Sequence, residues 1–207
     1  MSEIVYILTN EAMEGLVKIG RTTTSVEQRI KELDNTSIPL PFQCFYAAEV
    51  ANSALVEGKL HRIFADKRIR NNREFFRVAV NQVKEAIQLA EIKEVTPRND
   101  VVVDAEDVQA LKKAVASEER RSRLRFTDLD IPVGSMLTFA KDRNITSQVV
   151  ADGKINFEGA VMSLSAAALI IVKRLGYNWA AVCGTDYWEY DGETLSAIRL
   201  RLEDEQL

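Results

Sequence analysis

The chain has 207 residues, 46% of them hydrophobic and 28% charged, and a net charge of -4 at neutral pH. That length builds one large domain or two small ones, the composition excludes a wholly disordered chain, and the lack of global basicity means that any nucleic-acid binding must come from local patches. No apolar run approaches the ~20 residues that span a bilayer, and Met1-Ser2-Glu3 lacks the basic start of a signal peptide, so a cytoplasmic protein with no membrane partner is expected.

Ile4 to Leu8 is an apolar, β-rich run, and after a loop bracketed by Asn10 and Gly15 the stretch Leu16 to Gly20 alternates apolar residues around Lys18, which predicts an antiparallel hairpin. Thr24 or Ser25 caps a helix through Val26, Ile30 and Leu33 that carries Arg29. Pro39 and Pro41 interrupt the chain, and Phe42 to Val50 reads as a third, mostly buried strand. Asn52 or Ser53 caps a further helix whose apolar stripe is Leu55, Val56, Leu60, Ile63 and Phe64, with Glu57 and His61 four apart on one face. Arg70 to Arg73 is a polar turn into Glu74-Phe75-Phe76, and Asn81 opens a helix ended before Pro97.

The pattern lapses at about 96–103. Asp104 then starts a charged helix to near Arg120, acidic early and basic late as the helix dipole favours, which suits a connector. Beyond the arginine-rich stretch 120–125, short strands are expected at Ser135–Phe139, Asn144–Val150 and Lys154–Phe157, the last two joined by an Asp152-Gly153 hairpin turn. Ser163 to Ser165 caps a helix stopped at Gly176, Tyr187–Tyr190 is an aromatic strand, and Glu203-Asp204-Glu205 looks like a frayed acidic tail. Cys44 and Cys183 lie far apart in apolar stretches and are expected as buried free thiols.

Phosphodiester hydrolysis needs a group to activate water, cations to absorb charge on phosphorus, and usually a metal. Tyr6 is the candidate base and Lys18, across the hairpin, the cation that would favour its phenolate. Arg21 and Arg29 present planar forks to phosphate oxygens. Glu57 is the candidate metal ligand, and His61, the only histidine, would bind phosphate or orient a water. Taken singly, Tyr6 is more often a core-strand aromatic, and Lys18 and Arg29 are more often solvated charges.

Val-Tyr6-Ile, Lys18-Ile-Gly20-Arg21, Arg29, Glu57-Gly-Lys-Leu-His61 and Glu74-Phe-Phe76, in that order, resemble the GIY-YIG nuclease superfamily, most closely its bacteriophage and fungal branch, over about residues 3–95. The resemblance implies an α/β (α+β) fold with a small three-stranded antiparallel sheet flanked by helices, and metal-dependent DNA cleavage using Mg2+ or Mn2+. Its tyrosine falls on Tyr6, its helix arginine on Arg29 and its metal-binding glutamate on Glu57. Ile4 replaces the first glycine of the motif and Lys18 its second tyrosine, a change that recurs in active relatives.

The second half contains no nucleophile–base pair, metal cluster or phosphate loop. Trp179, Tyr187, Trp188 and Tyr190, with Arg121, Arg123 and Arg125, offer stacking faces and phosphate contacts, or else pack a small core beside a solvated hinge. Ile131-Pro-Val-Gly134, Asp152-Gly153, Gly159 with Ser163-Leu-Ser165, and Tyr187-Trp188-Glu-Tyr190-Asp-Gly192 are similar to the RAMA (restriction enzyme adenine methylation associated) domain over about residues 124–202. That resemblance implies a small α+β domain that recognises DNA, for which Arg121, Arg123, Arg125 and Trp188 are the candidate contacts. The expected organisation is a nuclease-like domain at 1–96, a helical linker at 97–123, the DNA-recognition domain at 124–202 and a tail at 203–207. The expected function is a DNA endonuclease of restriction or phage defence acting on double-stranded DNA, modified or unmodified, alone or as a homodimer. A non-cleaving DNA-binding or regulatory protein and a protein-interaction adaptor are the alternatives.

Overall fold

The computed structural model describes residues 2–13, 15–35, 38–99, 105–121 and 125–205, without the side chains of 105, 106 and 116–121. Asp104, Arg123 and residues 206–207 lie outside the described residues, as does the side chain of Arg121. The chain divides into two units, 1–107 and 108–207. The boundary falls inside the helix expected as a connector, α4 (Ala105–Arg121; the other helices and strands are numbered in chain order below). Among the described residues no helix is long and apolar enough to cross a membrane.

The first unit runs β1 (Ile4–Thr9), β2 (Val17–Thr22), α1 (Val26–Leu33), β3 (Gln43–Val50), α2 (Ser53–Ile63), β4 (Phe75–Phe76), α3 (Val80–Gln88) and β5 (Glu91–Glu94). Its sheet has five antiparallel strands in the order β4-β2-β1-β3-β5. The three expected strands are its centre, and β4 and β5 extend it at the edges. β1 is apolar throughout because both its faces are covered. Ile4, Tyr6 and Leu8 pack with Val26 and Ile30 of α1 and with Phe42, Cys44 and Ala47. Val5 and Ile7 point the other way and are as deeply buried, on the side where α2 and α3 meet β1. Ser25 caps α1 by accepting from the Gln28 amide at 3.1 Å, and Asn52 caps α2 by accepting from the Leu55 amide at 2.8 Å. The Glu3 carboxylate accepts from both the amide and the hydroxyl of Ser53, which ties the first strand to the start of α2.

In the second unit, β6 (Met136–Phe139), β7 (Asp142–Ala151), β8 (Lys154–Phe157), β9 (Ala160–Met162), α5 (Leu164–Arg174), β10 (Trp188–Tyr190), β11 (Glu193–Thr194) and α6 (Leu195–Glu205) follow one another. They form a six-stranded antiparallel sheet, β11-β10-β6-β7-β8-β9, and two helices. The Asp152-Gly153 turn joins β7 to β8, with Gly153 at φ 66°, a left-handed conformation that glycine adopts without strain. Residues 203–205, expected as a frayed tail, are the last turn of α6, where Arg199 meets Glu203 at 3.2 Å and Arg201 meets Glu205 at 3.6 Å, each one helical turn apart. Both cysteines are free thiols, Cys44 buried and Cys183 partly exposed.

Candidate active site

The candidate residues of the first unit gather around β2. By the alternation of a strand, Lys18, Gly20 and Thr22 share the face of their partners Leu8, Tyr6 and Ile4, whereas Ile19 and Arg21 belong to the opposite face. Tyr6 is 1% exposed and its ring lies across Gly20. A Cβ added at Gly20 would stand 2.6 Å from the phenol oxygen, so only glycine admits the ring there. Gly20→Ala is expected to cost about 1–3 kcal/mol through overpacking and to move the Tyr6 hydroxyl. A lowered Tm in thermal unfolding checks this; a Tm equal to wild type would show that the ring has room to shift.

Arg29 on α1 donates from Nε to the Tyr6 hydroxyl at 3.3 Å, and from Nη1 to Glu32 at 3.0 Å. Burial pushes the Tyr6 phenol above its ordinary value; the Arg29 guanidinium opposes that rise, while the carboxylates of Glu74 and Glu57 add to it. The cation on the phenol oxygen is therefore Arg29, in place of the expected Lys18. Lys18, its side chain 6% exposed, forms an ion pair with Glu74, which is 41% exposed. An ammonium so buried needs a counter-ion. Burial raises the Glu74 carboxyl, but Lys18, then His61 and Arg29, outweigh it and hold the group below the usual carboxylate range. Glu74, which stands in the sequence motif and reads there as a structural residue, thus belongs to this cluster. Its signal was available: a lysine between Val17 and Ile19 on an apolar strand demands an acid.

Arg21 reaches over to α2 and donates from Nε to Glu57 Oε2 at 3.2 Å, with Glu57 17% exposed. This bond engages one of the two carboxylate oxygens. Among the described residues no three His, Cys, Asp or Glu side chains converge as a metal cage. A divalent cation here would thus rest on Glu57 together with substrate and water oxygens, a coordination that Mg2+ accepts. His61, one turn further along α2, donates from Nε2 to the Ile19 carbonyl at 3.0 Å and packs on Phe76 with ring centroids 5.1 Å apart. It covers the edge of β2 just past the end of β4.

The second unit treats its aromatics differently. Trp188, expected to stack on DNA, is fully buried, edge-on to Phe139 and Phe157 at 5.4 and 6.2 Å, and its indole donates to the Leu164 carbonyl at 3.1 Å. It offers no face to a base, because β10 lays this side chain into the core of the unit. Tyr187 and Trp179 are buried as well. Arg125 is exposed.

Fold and side chains together define an α+β protein of two antiparallel-sheet units, the first carrying a buried tyrosine–arginine pair and two ion pairs about one strand. Compared with known families, residues 3–91 match the T5orf172 domain. That match lies where the sequence resembles the GIY-YIG superfamily, and it ends before the second unit begins. No curated protein and no solved structure matches the chain.

Proposed function

We propose that the first unit hydrolyses phosphodiester bonds in double-stranded DNA with Mg2+ or Mn2+, as a GIY-YIG type endonuclease of restriction or phage defence. The observation that carries the reading is the Tyr6–Arg29 hydrogen bond, set over Gly20, with the Arg21–Glu57 pair on the other face of the same strand. The T5orf172 domain found over residues 3–91 supports a role on DNA.

In this mechanism Tyr6 takes the proton from the attacking water. Arg29 holds the phenol oxygen and stabilises the anion that proton loss creates. The remaining N–H groups of Arg21 and Arg29 face phosphate oxygens, where planar forks match the charge that develops. Lys18, kept in place by Glu74, adds a fixed positive charge on the Tyr6 face. Glu57 would hold the cation, which when bound supplies Lewis acidity to the phosphate. Cutting both strands with one such site per chain calls for two copies or two successive nicks. The second unit serves as the DNA-reading module in a RAMA-like role, through exposed groups such as Arg125. Such a protein works in the cytoplasm, where bacterial and phage DNA meet.

The test incubates wild type and Glu57→Ala with modified and unmodified plasmid DNA in Mg2+ and in Mn2+. Cleavage is expected to fall at least about 100-fold in the variant, in line with the loss of a group that acts in the transition state. Equal cutting by both proteins would sink the assignment. The depth of Tyr6 and its raised pKa favour a second reading, a DNA-binding or regulatory protein that uses the fold as a scaffold. No cutting under any metal or modification, with salt-dependent DNA binding, would establish it.

A further inference from the structure

The segment Arg62–Arg77 holds six basic residues and two acids, in a chain whose net charge is -4. One of the acids, Glu74, is already paired with Lys18, so the positive excess is larger than the count suggests. The segment is an ordered hairpin. Ile69 donates its amide to the Phe75 carbonyl at 3.0 Å, Arg68 bridges to Phe76, and Arg77 donates to the Lys67 carbonyl at 2.8 Å. Its tip is the turn Arg70-Asn71-Asn72-Arg73, closed by the Arg73 amide on the Arg70 carbonyl at 3.0 Å, and all four residues are exposed.

Arg68 braces this hairpin from inside. It donates from Nε to the Arg73 carbonyl at 2.7 Å, and its guanidinium lies 5.5 Å from the centre of the Phe76 ring. Arg70 and Arg73, by contrast, belong to the exposed tip. The inner arm of the hairpin is β4, whose Phe75 pairs with Lys18 and whose neighbour Glu74 accepts from the Ile19 amide at 3.1 Å. The root therefore sits on the strand that carries the candidate site. At about 3.3 Å per residue Arg73, two residues before Phe75, stands roughly 7 Å along the strand from it.

We infer that this hairpin is a backbone clamp for double-stranded DNA, in which Arg70 and Arg73 contact phosphates flanking the bond at the Tyr6 site. The inference rests on the DNA reading above and adds to it the surface that positions the duplex. A pair of exposed arginines on a hydrogen-bonded turn suits a regularly charged polyanion: each fork meets a phosphate, and no sequence is read.

The test measures binding of the full-length chain to short duplexes of two unrelated sequences, in chelator so that nothing is cut, over a series of salt concentrations. Arg70→Gln/Arg73→Gln should bind both duplexes more weakly by the same factor and flatten the slope of log affinity against log salt by about two, one for each phosphate that the arginines no longer neutralise. Arg70→Lys/Arg73→Lys, which keeps the charge, should restore most of that slope, and equal Tm values for all three proteins exclude unfolding as the cause. An unchanged slope in the glutamine variant, with wild type binding duplex, would overturn the clamp and leave the DNA reading standing. Failure of wild type to bind duplex at low salt would overturn both. Tighter binding of a single-stranded RNA of equal length, abolished in the glutamine variant, would assign the hairpin to a different partner and overturn the inference as stated.

Discussion

Tyr6→Phe should lower cleavage by about 100-fold or more while leaving the fold intact, the range by which a positioned proton acceptor accelerates a reaction. Phenylalanine keeps the ring that lies across Gly20 and removes only the oxygen that accepts from Arg29. The pH profile sharpens the test. Burial raises the phenol above about 10, so the phenolate is a minor species at neutral pH and wild-type activity should climb with pH through the neutral range without levelling off. The phenylalanine variant should lose that climb. Stability carries the opposite sign: a raised folded pKa contributes stability that is present below the unfolded value near 10 and lost as pH rises through the folded value. Wild type should thus weaken above about pH 10 more than the variant does. A Tyr6→Phe protein that cuts at the wild-type rate would remove Tyr6 from the chemistry.

Trp188→Ala should cost about 3–5 kcal/mol, the usual loss for a large aromatic removed from a packed interior. The indole is fully buried against Phe139 and Phe157, and its N–H satisfies the Leu164 carbonyl at the start of α5. Urea unfolding followed by tryptophan fluorescence from Trp179 would report it as a shift of midpoint. Were the indole a DNA contact, the variant would lose affinity and keep its midpoint. The two outcomes separate a core residue from a surface one.

Much of the first unit was legible because its central elements are long enough to show a period. β1, β2 and β3 carry apolar runs of strand length, and α1 and α2 begin at capping residues with apolar positions at helical spacing. The edges were not legible. A strand of two residues such as β4 has no period, and Glu91-Ile92-Lys93-Glu94 of β5 is charged as edge strands tend to be, so it looked like the end of a helix. In the second unit β9 and β11 escaped for the same reason, and the acids that close α6 resembled a tail because their partners, Arg199 and Arg201, were not counted with them.

At the site, the residues were legible but their partnerships were not. Tyr6, Arg21, Arg29 and Glu57 come together in the pairs Tyr6–Arg29 and Arg21–Glu57. Lys18 went elsewhere because its counter-ion, 56 residues on, is brought to it by a strand too short to foresee. His61 faces a backbone carbonyl, a demand that exists only once β4 has ended short of the full length of β2.

The strand order β4-β2-β1-β3-β5 has a consequence for how the chain reaches its native state. The first strand to be synthesised is the middle of the sheet: β2 pairs with one edge of β1 almost at once, but the other edge waits for Ile4 to meet Glu49 and for Glu3 to meet Ser53, some 50 residues later. Closures of that span are slow, and an apolar strand with an open edge invites pairing with another chain while it waits. Production from a slowly translating ribosome, which lengthens the interval before β3 emerges, should therefore yield more aggregate than refolding of the finished chain from dilute denaturant.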